Sequence, residues 1–243
     1  MSVRLQKEAT LKLSILPMFV AFIFIFCLAI TRRARSNQSI KGAEALSVYT
    51  LLLAFFAWTL TATVLGIRGT HVELMARVPL LWQSLIPVVL FSTAFTFSGT
   101  LRSGLRGIAT STPGYWLVFI QALRIGALGG IMKGIRGEIT SGFVFWIGIP
   151  DFLFGVSALV VGWLLLREAV GPRFLIAWNL VGFALIILPT FVPMNYWMNE
   201  PGFTFIFEFP MVLAPSIVIP TFISINLLHA WGIFVTEKKK SVV

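Results

Sequence analysis

Arg124 and Asp151 are charged side chains set inside long apolar runs, and Gln121 stands three residues before the arginine. A lone charge at the middle of a bilayer costs at least ~2.5–3.5 kcal/mol, so such residues face a bundle interior and find a partner. A guanidinium presents planar donors that grip a carboxylate or a phosphate in bidentate fashion. Residues three apart on a helix are neighbours, which makes Gln121 a second donor beside Arg124. Two uses of this set are open: a pin between two helices, or a site for an anionic small molecule or lipid headgroup. Asn179, Asn226 and His229 form a second polar set, able to hydrogen-bond between helices and including an imidazole, the side chain whose ordinary titration lies near neutral pH. No metal site is expected. Such centres gather three or four ligands, and the chain has two histidines, His71 and His229, expected on opposite sides, and one cysteine, Cys27. The same count excludes an intramolecular disulfide and a bis-histidine haem. No catalytic residue is assigned, because HExxH, GxSxG, P-loop and CxxC motifs are all missing and no second intramembrane carboxylate accompanies Asp151.

The elements that must position these residues are seven apolar runs, at approximately 11–30, 46–67, 78–98, 112–134, 141–166, 174–194 and 210–235. Each is long enough to span a bilayer as a helix, at about 20 residues per crossing. In hydrocarbon the backbone must satisfy its own hydrogen bonds, so helix is the form expected. The fold class is thus an all-α membrane protein, a single bundle of seven transmembrane helices forming one domain over residues 1–243. Arg124 lies ten residues before Gly134 and Asp151 ten residues after Ser141. Antiparallel helices joined by so short a loop place both side chains roughly 15 Å from the loop end, so an ion pair is expected. Gly126, Gly130 and Gly134 make a stripe on the fourth run, and Gly148, Gly155 and Gly162 one on the fifth. Small residues let helix backbones approach closely in lipid. Asn179 falls about two turns into the sixth run, and Asn226 and His229 near the end of the seventh, where antiparallel packing brings them to one level.

Composition agrees. The chain has 243 residues, 58% of them hydrophobic and 12% charged, with a mean hydropathy of +0.93. The net charge of +10 is distributed unevenly over the loops. One side carries Arg32, Arg33, Arg35, Lys41, Arg102, Arg106, Arg167, Arg173 and Lys238–Lys240, eleven basic residues against seven on the other. That bias places the N-terminus outside and the C-terminus in the cytoplasm. The first run is read as a retained span, since Arg32, Arg33 and Arg35 close it like a stop-transfer cluster. Trp82, Tyr196 and Trp197 are expected at one boundary, Tyr115, Trp116 and Trp231 at the other. The basic residues suit anionic headgroups, and no soluble basic face is left for nucleic acid. Pro215 and Pro220 each remove a backbone donor and are expected to kink the seventh run. The alternating Phe203-Thr-Phe-Ile-Phe-Glu-Phe209 segment reads as interfacial or re-entrant. The seventh run has no lysine at all, which argues against a retinal Schiff base.

Gln121-x-x-Arg124, Pro150-Asp151 followed by Gly155, and Pro215-x4-Pro220 leading to Leu227-Leu228-His229 resemble a family of uncharacterised bacterial integral membrane proteins. The resemblance covers about residues 112–234. It implies a multi-pass protein of the bacterial cytoplasmic (inner) membrane and supplies no reaction and no cofactor. The expected function is a non-catalytic binding or accessory role, with membrane lipids as partners and room for a protein partner or homo-oligomer. A small-solute or proton transporter is the alternative, and an intramembrane lipid-modifying enzyme the second alternative.

Overall fold

The computed structural model describes residues 14–75, 82–191 and 203–240, and among them every regular element is helical. Helix α1 (Leu16–Ser36) runs six residues beyond the expected end and carries the arginine cluster on its last turn. Helix α2 (Gly42–Ile67) begins where the Lys41 N–H donates to Glu44 Oε2 at 2.6 Å. A short α3 (Thr70–Met75) and α4 (Trp82–Phe97) follow. The chain then bends by 104° into α5 (Gly99–Ser111). The expected loop after the third run is therefore a helix, and its pattern explains the position. Leu101, Gly104, Leu105, Ile108 and Ala109 are buried while Arg106 and Thr110 are exposed, the 3.6-residue spacing of an amphipathic helix. Ser98 caps it by accepting from the Leu101 N–H at 3.1 Å. Arg102 Nη1 donates back to the Phe95 carbonyl at 2.7 Å, covering an orphan acceptor at the end of α4.

The remaining spans are α6 (Gly114–Ile135), α7 (Ser141–Leu166), α8 (Pro172–Phe191) and α9 (Ala214–Lys238). Among the described residues six helices are long and apolar enough to cross a membrane, and the bent α4–α5 pair also passes if counted as a single span. The molecule is an all-α, multi-pass membrane protein. Tyr196 and Trp197 lie outside the described residues. Residues Phe203–Phe207 form a 3-10 turn whose Phe203, Ile206 and Phe207 are buried against Val72, Phe143 and Ile147. The alternating segment is thus a packed plug between α3 and α7.

Two further apolar clusters hold the bundle. The larger joins α1, α2, α5, α6 and α9 through residues such as Ile23, Val48, Ile108, Leu117 and Phe222. The smaller joins α6, α7 and α8 through Val118, Phe154, Ala158, Leu175 and Trp178. Basic side chains gather at one end, where Arg33 of α1 lies over the Trp116 ring at 5.1 Å and Arg106 of α5 over Trp231 at 5.8 Å. Cation–aromatic stacking of this kind ties four elements together at that end.

Three spans depart from α-helical bonding, and all do so near the charged pair. Residues Ile120–Ala127 of α6 are 3-10, a long stretch for that geometry. Val144–Gly148 of α7 and Ala214–Val218 of α9 are π turns, each closed by the following isoleucine N–H reaching back five residues. A proline comes next in both, Pro150 and Pro220. Proline has no N–H, so the carbonyl four residues earlier loses its helical partner and the wider turn absorbs the defect. In α9 the freed acceptors are taken from outside: Trp58 Nε1 donates to the Ser216 carbonyl at 3.1 Å and Ser84 Oγ to the Pro215 carbonyl at 2.7 Å.

Candidate functional site: a buried arginine–aspartate pair beside a cavity

The α6–α7 hairpin fixes the level of Arg124 and Asp151. Gly137 takes a φ of +71° in its turn, a left-handed conformation costly for residues with a Cβ. Thr140 Oγ1 then caps α7 by accepting from the Phe143 N–H at 3.2 Å. Down the hairpin, Gly155 sets the closest approach. A Cβ there would lie 2.5 Å from the Ile125 amide nitrogen and 2.8 Å from the Arg124 carbonyl carbon, so only hydrogen fits. Gly162 meets the Phe119 ring in the same seam, whereas Gly126 of the other stripe faces Phe19 of α1.

At that seam Arg124 Nε donates to Asp151 Oδ1 at 2.6 Å. Nη2 lies at the same 2.6 Å from Oδ1 as an ion pair, but without the angle of a hydrogen bond. Nη1 donates to the Gly182 carbonyl of α8 at 3.3 Å. The guanidinium also rests 4.2 Å above the Phe154 ring, which is stacked on Trp178 at 4.4 Å. Trp178 Nε1 is held by Ser157 Oγ at 3.1 Å. This aromatic platform was not legible in the sequence, where Phe154 and Trp178 are two more rings among many in apolar spans.

The members of the pair are not equivalent. The arginine side chain is 0% exposed and the aspartate 23%. Asp151 reaches a cavity of about 260 Å³ whose walls include Phe19 of α1, Arg124 and Lys133 of α6, Gly148 of α7 and Phe222 of α9. It also lines a second space of about 40 Å³, between Ile147, Pro215 and Ile219. Both π turns and the 3-10 segment contribute to these walls. Lys133 sits at the cavity edge with Nζ 4.3 Å above the Phe205 ring.

Gln121 is fully buried, and neither of its amide atoms has a hydrogen-bond partner, so it does not extend the network as expected. The second set is partly assembled. Asn179 Nδ2 donates to the Leu175 carbonyl at 2.7 Å and to His229 Nδ1 at 3.1 Å. Asn226, also fully buried, joins neither of them by a hydrogen bond. His71 is remote from His229, buried in α3 with Nε2 3.0 Å from the Ala62 carbonyl. Among the described residues no cluster of three His, Cys, Asp or Glu side chains is placed to hold a metal.

The chemistry available is therefore that of a polar floor in an apolar chamber, a carboxylate oriented by a guanidinium with a lysine at the edge. No protein-family model, curated protein or solved structure matches this chain, so the family resemblance carried by the Gln121, Asp151 and His229 motifs gains no support beyond those motifs.

Proposed function

We propose that this protein is a non-catalytic binding protein of the membrane that holds the anionic head of a small amphiphile in the cavity beside Arg124 and Asp151. The observation that carries the reading is the cavity itself. Among the described residues it sets the Arg124–Asp151 pair and Lys133 at the edge of a space whose other walls are mostly apolar. The guanidinium is a planar donor at the floor of this space, and a carboxylate or phosphate group is its complement. Asp151 orients Arg124, and the chain of the ligand lies along Phe19 and Phe222. A molecule of that kind is supplied by the bilayer, which makes membrane lipids the natural partners. The proposal includes the setting argued from charge and resemblance: a bacterial cytoplasmic membrane, seven crossings with α4–α5 counted as one, the N-terminus outside and the C-terminus inside.

Native mass spectrometry of the gently purified protein tests it. Wild type is expected to retain an anionic amphiphile, Lys133→Met to retain less, and the Arg124→Leu/Asp151→Leu double variant to fold and retain none. An unchanged lipid complement in the double variant overturns the reading and leaves the pair as a helix pin.

A further inference from the structure

Between the charged pair and the Gly114 end of the bundle, three spans bury amide side chains that the protein does not fully satisfy. Both amide atoms of Gln121, both of Asn226 and Oδ1 of Asn179 have no hydrogen-bond partner, and all three residues are 0% exposed. Their levels follow from contacts above and below. Gln121 is one turn before Arg124 on α6, and Asn179 one turn before Gly182, whose carbonyl meets Arg124. Asn226 is one turn before His229 on α9, and His229 meets Asn179 on one side and Gly114 on the other. By level along their spans, the four side chains fall within about two turns between Arg124 and Gly114. Five orphan atoms in the enclosed interior are poor interhelical glue. Buried polar groups of this kind are normally completed by internal water.

We propose that Gln121, Asn179, Asn226 and His229 hold a file of water that passes protons between Asp151, in the cavity, and the Gly114 end of the bundle. The tautomer of His229 suits the task. Because Asn179 Nδ2 donates to His229 Nδ1, the ring hydrogen sits on Nε2. Nε2 is the atom nearest Gly114, 3.3 Å from where a Cβ on that glycine would stand. A proton bound at Nδ1 and another released from Nε2 leave the imidazole neutral with its hydrogen on Nδ1. The start is restored when the rotated ring releases that hydrogen on the Gly114 side and Nε2 takes up the next proton. Nδ1 is reached only when the Asn179 amide swings away, so Asn179 is the gate. At the upper end Asp151 gains or loses one proton, its side chain being the member of the pair that reaches the cavity. The charged groups facing this path from the packed spans are Arg124 and Asp151, with Lys133 at the far edge of the cavity. The inference does not depend on what fills the chamber, since a protein that binds no amphiphile still conducts if the column is wet.

The test is proton flux in vesicles of purified protein, with a pH dye trapped inside and a potassium diffusion potential as the drive. Wild-type vesicles are expected to change internal pH faster than protein-free vesicles, and Asn226→Leu and His229→Leu to fall to the protein-free rate. Wild-type flux equal to that of empty vesicles, or variants as fast as wild type, overturns the proposal. If the leucine variants do not fold, solid-state NMR of wild type decides. The side-chain amides of Gln121, Asn179 and Asn226 are expected to exchange magnetisation with water, and amides without such exchange overturn it.

Discussion

A fully enclosed arginine is tolerable in a bilayer only while its carboxylate is present. Removing one partner of such a pair leaves an unpaired buried charge, at a cost of about 3–5 kcal/mol, whereas replacing both by apolar groups is often close to neutral. Arg124→Leu and Asp151→Leu are therefore each expected to lower the melting temperature in detergent by more than the double change does. Equal and additive effects would show that the 2.6 Å contact contributes nothing. Gly155→Ala is expected to destabilise as well, because its methyl would meet backbone rather than a flexible side-chain end. The pair was legible in the sequence because its depth follows from counting residues along a hairpin. That Asn179 meets His229 while Gln121 and Asn226 find no partner was not, since this depends on rotamers and on the rotation of three helices about their axes. Counting fixes height, not facing.

At the scale of elements, the breaks in helical bonding are what bring the polar groups into one place. The prolines announced some disturbance at residues 150, 215 and 220, but whether a span kinks or widens into a π turn is settled by what neighbouring spans offer the freed carbonyls. Trp58 and Ser84 are that offer in α9. Trp58→Phe keeps the ring and removes the donor, leaving the Ser216 carbonyl short of a partner in an apolar interior. A loss of about 1–3 kcal/mol is expected, read as a lower melting temperature, while a variant as stable as wild type would show that the π turn needs no outside donor. The α3 contact adds a pH dependence. Burial pushes the His71 imidazole below its ordinary value of 6.5, against a smaller upward pull from its hydrogen bond to the Ala62 carbonyl. The folded state thus favours neutral His71. Its contribution is complete above about pH 6.5 and is lost as pH falls below that value, where the unfolded chain binds the proton first. Wild type is expected to lose more stability than His71→Gln on going from pH 8 to pH 5, and parallel pH profiles would remove His71 from the account.

At the scale of the whole molecule, apolar runs and loop charge carry nearly all the information, and a misread segment shows why. Residues 99–111 hold two arginines and are too short and too polar to span, so they read as a loop. The spacing of Leu101, Leu105 and Ile108 becomes a buried face only because α1, α2 and α9 end above it. That amphipathic helix ties the orientation to a surface that can be labelled. Arg106 and Ser103 are exposed on α5, at the same end as the α1 arginines. With eleven basic residues on that side against seven on the other, it is expected to face the cytoplasm. Cys27 is the single cysteine, so a Cys27→Ser background gives clean single-cysteine reporters. In spheroplasts, Ser39→Cys and Ser103→Cys are expected to resist a membrane-impermeant maleimide until the membrane is permeabilised, and Glu138→Cys to react at once. Labelling of Ser103→Cys in intact spheroplasts, with Glu138→Cys protected, would invert the molecule. The cavity beside Asp151 would keep its walls, but the proton path from Asp151 to Gly114 would then run toward the outside.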